Sequence, residues 1–193
     1  MRPTTRAAAT APSALPEAAL LDGLRNGDLN ALAAAFDRWH GRVRVLARRL
    51  LAEEAAAEDV VQDVFTELPL AARRFDGRAD LESFVLGIAV KRVRRHRRAA
   101  QRRRRALARL NVMELGGPDP ERDVYRHQLG QRLAAALDHL PLPQRVAFVL
   151  CEVEEMTAAE AAIVADCPEA TVRTRLFHAR RRLRELLAPE RGR

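Results

Sequence analysis

Apolar residues recur along this chain at helical spacing, in blocks separated by turn-forming residues, and no run alternates as a strand would. Glu17 to Arg25 predicts a short helix, and Asn26-Gly27-Asp28 is turn chemistry that ends it. Asp28 can cap a long helix in which Leu29, Leu32, Phe36, Trp39, Val43, Leu46 and Leu50 form one apolar seam. Trp39 reads as a core residue on that seam; the alternative is a stacking platform for a base. Glu53 to about Leu68 predicts the next helix, with Val60, Val61, Val64, Phe65 and Leu68 as its stripe. Pro69 follows, and Arg73 to Asp80 reads as a loop. Asp80 or Ser83 then starts a helix whose buried side is Leu81, Phe84, Val85, Ile88, Ala89 and Val93.

The second half opens after Gly116-Gly117-Pro118-Asp119-Pro120, a linker by composition. From about Asp123, residues Val124, Leu129, Leu133, Ala136, Leu137 and Leu140 predict one helix, which Pro141-Leu142-Pro143 ends. Gln144 to Glu154 predicts another, with Val146, Phe148, Val149 and Leu150. Thr157 followed by Glu160 is a capping box, in which the hydroxyl accepts from the Glu160 amide and the carboxylate from the Thr157 amide. Met156 before it reads as core. Asp166-Cys167-Pro168 breaks the short helix that follows, and Pro168 suits the first turn of the next. There Val172, Leu176, Ala179, Leu183, Leu186 and Leu187 share one face, while Arg173, Thr174, Phe177, His178 and Arg181 look away from it. Two helices, a short turn and a cationic outer face describe a helix-turn-helix that reads the major groove. The bland alternative is a helical hairpin with a solvated basic face.

The predicted fold is therefore all-α, with two small helical domains joined by a flexible linker. Residues 1–16, rich in alanine, threonine and proline, read as a disordered tail without the apolar core of a signal peptide. Residues 17–100 form the first domain, 101–123 a basic, flexible linker, and 124–189 the helix-turn-helix domain, with fraying expected from Pro189.

Composition sharpens this picture. The hydrophobic fraction is 48% but the aromatic fraction only 4%, which favours helix over sheet. A net charge of +8 over 193 residues points to a polyanionic partner. Lys91, Arg92, Arg94, Arg95, Arg97, Arg98, Arg102 to Arg105 and Arg109 form a run with no acid between Glu82 and Glu114. So dense a charge of one sign repels itself unless it meets an anion, and nucleic-acid phosphate is the obvious one. Phe75 beside Gly77 and flanking arginines, Arg78 among them, can hold an unstacked base. Against this background Asp59, Gln62, Asp63 and Thr66 stand out as a polar, acidic face. That face serves either solubility and capping or the docking of a basic protein. Cys151 and Cys167 read as space-filling thiols of a reducing compartment, with no clustered metal ligands. No cofactor is implied, and no stretch approaches the roughly 20 apolar residues of a membrane span.

Taken in this order, these residues resemble the extracytoplasmic-function class of bacterial RNA polymerase sigma factors. Asp59-Val60-Val61-Gln62-Asp63-Val64-Phe65 is similar to the acidic-apolar helix of that family's region 2. Arg74-Phe75-Asp76-Gly77 with Ser83-Phe84-Val85-Leu86-Gly87-Ile88-Ala89 is similar to its promoter-melting segment. The Leu140 to Leu150 stretch and Thr171 to Arg180 are similar to region 4. The resemblance covers nearly everything from about Glu17 to Leu187. It implies that Asp59, Gln62, Asp63 and Thr66 dock on core polymerase. It implies that Phe75, Arg78, Phe84, Lys91, Arg92, Arg94, Arg95 and Arg98 engage the −10 element. It implies that Thr171, Arg173, Thr174, Arg175, Phe177 and His178 meet the −35 element. The implied partners are core polymerase, promoter DNA and an anti-sigma factor, in a bacterial cytoplasm. Some positions depart from the family: His178 stands where arginine is common, Lys91 where asparagine is frequent, Phe84 for a usual tryptophan, and Asp166 for a turn glycine. A tryptophan that often continues the helix is replaced by Pro69.

Three other classes compete. A stand-alone helix-turn-helix regulator predicts a dimer on a palindrome, and no dimer helix or ligand pocket is evident. A general basic nucleic-acid binder would survive loss of Arg173 and Arg175. A hydrolase is disfavoured: His40, His96, His127, His139 and His178 are scattered, with no paired nucleophile or phosphate loop.

Overall fold

A computed structural model describes residues 15–51, 53–109 and 126–188. Residues 1–14 of the expected 1–16 tail, the Gly116 to Pro120 linker, Val124 and the fraying end from Pro189 lie outside the described residues, while Leu15 packs against the core and Pro16 is the N-cap of the first helix. All regular structure among the described residues is helical: α1 (Glu17–Asn26), α2 (Leu29–Leu51), α3 (Glu54–Ala72), α4 (Leu81–Arg109), α5 (Arg126–Asp138), α6 (Leu142–Phe148), α7 (Ala158–Ala165) and α8 (Glu169–Leu187). A π-helical turn, Val149–Val153, continues α6.

Local chemistry sets most boundaries. Gly27 takes φ 74° and closes α1 in the left-handed conformation that glycine adopts without cost. The Asp28 carboxylate then accepts from the Asn30 amide at 2.9 Å and caps α2. Asp80 accepts from the Ser83 amide at 2.7 Å and caps α4. The capping box at α7 forms as read: Thr157 Oγ1 accepts from the Glu160 amide at 3.3 Å, and Glu160 from the Thr157 amide at 2.8 Å. Both bonds to Thr157, side chain first, hold the Glu160 carboxyl below its ordinary pKa. Asp166 ends α7 at φ 49°, a left-handed residue where a glycine would sit unstrained.

Four expectations change. α3 does not stop at Leu68 but runs through Pro69 to Ala72. Arg25 supplies the reason: its Nε donates to the Ala72 carbonyl at 3.2 Å and its Nη2 to the Phe75 carbonyl at 3.1 Å, fixing the last turn despite the missing amide. Pro168 lies one residue outside α8 as its N-cap. On α8, Leu186 is exposed while Val172, Ala179 and Leu183 are buried. On α2, Trp39, Val43, Leu46 and Leu50 are core as read, but Leu29 and Phe36 remain 77% and 41% exposed. In the first turns of α2 the buried face is the one that carries Ala31, Ala34 and Ala35, against α1, so Leu29 and Phe36 lie off it.

One apolar core runs through α1–α4 and continues into α6, α7 and α8, through Val146, Val149, Leu150, Ala161, Val164 and Val172. A smaller cluster of Ala136, Leu137, Leu140, Ala179 and Leu183 joins α5 to α8. The basic run is helical as far as Arg109, so α4 projects into the stretch read as linker.

Candidate nucleic-acid interface

The candidate site residues fall on three surfaces. The first is the outer side of α3. Asp59, Gln62, Asp63 and Thr66 are all exposed there, and the Thr66 hydroxyl folds back on the Gln62 carbonyl at 2.8 Å. Beside them a shallow groove of about 490 Å³ is lined by Leu29, Leu32, Phe36, Phe65, Gln62 and Thr66. Phe36 stacks on His40 with centroids 4.7 Å apart and meets Phe65 edge-on at 4.9 Å. The sequence reading assigned Leu29 and Phe36 to the core. Ala31, Ala34 and Ala35, which take the buried face of these turns instead, were the available signal.

The second surface is the Arg73 to Asp80 loop with α4. Phe75 and Phe84 come together as an edge-to-face pair with centroids 4.9 Å apart, both half-buried. Arg78 stays exposed and pairs only with Asp76 in its own loop, at 3.2 Å. The basic residues of α4 divide between its sides. Arg92 turns toward α3, where it bonds Glu67 and Asp63. Burial alone would lower the Arg92 pKa; the bonds and charges of Glu67 and Asp63 outweigh it and raise it. Arg92 thus ties α4 to the acidic face of α3, apart from the other cations. Lys91, Arg94, Arg95 and Arg98 gather on a different side. Lys91 Nζ lies 3.5 Å from Asp166, and Arg94 Nη2 donates to the Ala165 carbonyl at 2.7 Å. Burial lowers the Arg94 pKa, and Arg175 and Arg98 add repulsion, offset by Cys167 and Asp166.

The third surface is α8. Arg173, Thr174, Phe177 and His178 are exposed on one outward face, with Phe177 62% exposed and edge-on to His178 at 5.5 Å. Arg173 pairs with Glu169, and Thr174 bonds the Ala170 carbonyl at 2.9 Å. Thr171 is half-buried. Arg175 points instead into the turn, donating to Cys167 Sγ at 3.4 Å. With Arg94, Arg97 and Arg98 it lines a cleft of about 710 Å³ between α4 and the helix-turn-helix. Both cysteines are half-buried against the core; burial, with the Glu152 charge, pushes the Cys151 thiol up.

Arg145 escaped the sequence reading. It is fully buried, donates Nη1 to the Leu50 carbonyl at 3.1 Å and pairs with Asp138 at 2.7 Å. Its Nε and Nη2 have no partner. Burial lowers its pKa, opposed by Asp138.

No helix among the described residues is long and apolar enough to cross a membrane. The arrangement presents three surfaces: an acidic, partly apolar one on α3, an aromatic pair beside a cationic helix, and an outward polar and aromatic face on α8.

The family model "Sigma-70 region 2" matches residues 35–103, and "Sigma-70, region 4" matches residues 130–183. The ECF RNA polymerase sigma-E factor of Escherichia coli K12 is 27% identical over 185 residues, spanning 91% of this chain and 96% of that protein. The RNA polymerase sigma-H factor of Pseudomonas aeruginosa is 26% identical over 179 residues, 88% of this chain and 93% of that one. Two solved structures share the fold. CnrH, in complex with the cytosolic domain of CnrY, superposes with a TM-score of 0.62 at 24% identity, covering 89% of this chain and 96% of CnrH. The sigma factor RpoE of Bartonella quintana, in complex with the anti-sigma factor NepR, gives 0.59 at 24% identity, covering 79% and 93%.

Proposed function

We infer that this chain, which belongs to the extracytoplasmic-function class of bacterial RNA polymerase sigma factors, binds core polymerase, directs it to promoters and starts transcription through the three surfaces described above. The observation that carries the assignment of roles is the separation of charge. In a chain of net charge +8, the acids Asp59 and Asp63 share an exposed face of α3 with Gln62 and Thr66, away from the outward faces of α4 and α8. An acidic face repels DNA, so its partner is a protein with a basic surface, and polymerase core is the one a sigma factor needs. The neighbouring Leu29 and Phe36 add apolar area for the same contact.

At the −10 element, the Phe75 and Phe84 rings receive an unstacked base of the melting strand. Flipping a base costs a few kcal/mol, offset by stacking and hydrogen bonds in its pocket. Lys91, Arg94, Arg95 and Arg98 neutralise neighbouring phosphates, each adding roughly one unit to the salt dependence of binding. Arg92 contributes by bracing α4 on α3. At the −35 element, α8 lies in the major groove with Arg173, Thr174, Phe177 and His178 toward the bases. Arginine grips guanine with two donors; His178 offers one bond at a time, so its base preference is weaker. The chain contributes no bond-making step of its own, and polymerase carries the chemistry. It works in the cytoplasm, in two functional units close to 17–100 and 124–189, and an anti-sigma factor is its expected regulator.

Titrating fluorescently labelled chain with core polymerase tests the docking face. Wild type is expected to bind, and Asp59→Arg/Asp63→Arg to bind at least about tenfold more weakly while keeping its helical circular dichroism. Equal affinity of the two would remove the assigned role from α3.

A further inference from the structure

The cationic run of α4 continues past the residues assigned to the −10 element. Because α4 stays helical to Arg109, the positions beyond Arg98 have fixed directions on it. At about 100° per residue, Arg95, Arg98, Arg102 and Arg105 all fall within about 40° of Lys91 around the helix axis. All five are exposed. Neighbouring cations leave this line. Arg92 lies about 100° round the axis and is bonded to Glu67 and Asp63. Arg103 is exposed too, but about 120° round. The stripe is also one place in space: Lys91, Arg94, Arg95, Arg98 and Arg102 line a single depression of about 510 Å³, in which the one acid is Asp166.

Such a stripe fits one strand of a duplex. Lys91 to Arg105 spans about 21 Å at 1.5 Å per residue, the rise of about six phosphates along one strand at 3.4 Å each. Binders of single strands interleave aromatic platforms with their cations, and beyond Phe84 the sequence of α4 has no Phe, Tyr or Trp. A row of exposed cations alone tracks the charge that every base step shares, which positions a duplex without reading it. The far end also reaches well past the aromatic pair. Arg102 and Arg105 stand about 27 and 32 Å along the helix from Phe84, eight or nine base steps away at roughly 3.4 Å each. Helix α4 starts at the base-receiving pair and leads toward the half that meets the −35 element, so this distance lies on the upstream side.

We propose that Arg102 and Arg105 extend α4 into a phosphate-tracking stripe that holds the duplex between the −10 and −35 elements, irrespective of its sequence. The stripe rests on the promoter-reading function inferred above. It adds a contact outside both elements, made by a segment that the sequence pattern assigned to the linker.

The test compares wild type, Arg102→Gln/Arg105→Gln and the off-stripe control Arg103→Gln, each full-length and bound to core polymerase. Circular dichroism shows that the helices persist. The readout is affinity for a selected promoter duplex between about 50 and 200 mM salt. The double variant is expected to lower the salt slope by about two units, so that over this range its affinity falls about twelvefold less than that of wild type. Arg103→Gln is expected to keep the wild-type slope. Neutral methylphosphonates placed between the two elements locate the contact. They are expected to lower the wild-type slope by about two units more than that of the double variant, whereas methylphosphonates downstream of the −10 element lower both equally. Equal slopes for wild type and double variant, or an equal loss in Arg103→Gln, would overturn the stripe. Coupling to the downstream phosphates would overturn its placement. A slope lowered on single-stranded RNA but not on the duplex would overturn it in favour of the transcript. If no promoter can be selected with core polymerase, the promoter-reading function itself fails, and the salt slope of the free chain on random duplex shows whether the stripe binds DNA apart from it.

Discussion

Arg145 has no exposed surface, and the two ends of its ion pair stand in unequal surroundings: Asp138 keeps 42% of its side chain in water. Removing Asp138 leaves a buried guanidinium whose charge nothing balances, and removing one partner of a buried pair typically costs about 3 kcal/mol or more. Removing Arg145 leaves only a hydrated carboxylate. Asp138→Ala is therefore expected to destabilise the chain by about 2–3 kcal/mol, scaled down because the pair is only half dry. Arg145→Met, similar in volume and apolar, is expected to change stability by less than about 1 kcal/mol. Urea unfolding followed by circular dichroism gives both values, and the reverse order would show that packing, not charge, dominates the site. At this scale the sequence is legible where the partner is near in the chain. Thr157 and Glu160 declare their bonds three residues apart. Arg145 does not, because its acceptor Leu50 lies in another half of the sequence.

Helix periodicity states which positions are apolar but not what covers them. The α2 seam shows this: Trp39 and Leu50 enter the core, whereas Leu29 and Phe36, on the same repeat, border the polar face of α3. Helix α4 shows the converse. Its expected stripe is buried except for the half-buried Phe84, and Leu86 and Val90 are buried as well. The run Phe84-Val85-Leu86-Gly87-Ile88-Ala89-Val90 is apolar all round, the mark of a helix enclosed on more than one side. The proposed docking groove gives the prediction at this scale. Leu29→Glu sits on a side chain that is 77% exposed, so folding should be unaffected. An apolar side chain that anchors a protein interface is worth more than about 1 kcal/mol, whereas most interface residues are worth less. Affinity for core polymerase is expected to fall about tenfold, with an unchanged melting curve. Unchanged affinity would confine the docking face to the acids of α3.

Across the whole molecule, the order of elements and the sites of opposite charge were legible because each is a local pattern: an acidic helix, an aromatic loop, a basic helix, a capped helix-turn-helix. The set of contacts by which the second half meets α2 and α4 was not. It depends on Arg42, Arg49, Gly87, Arg94, Arg145 and Glu154, single residues from distant segments that meet only in the folded chain. The function proposed for the molecule requires those same halves to act together on one promoter. Run-off transcription by core polymerase on a library of randomised −35 and −10 elements measures that joint action directly. With this chain present, transcripts are expected from one enriched pair of elements at a fixed spacing, and Asp59→Arg/Asp63→Arg is expected to abolish them. Initiation no more selective than that of core alone, with the chain by itself binding a palindromic site, would contradict the sigma-factor mechanism.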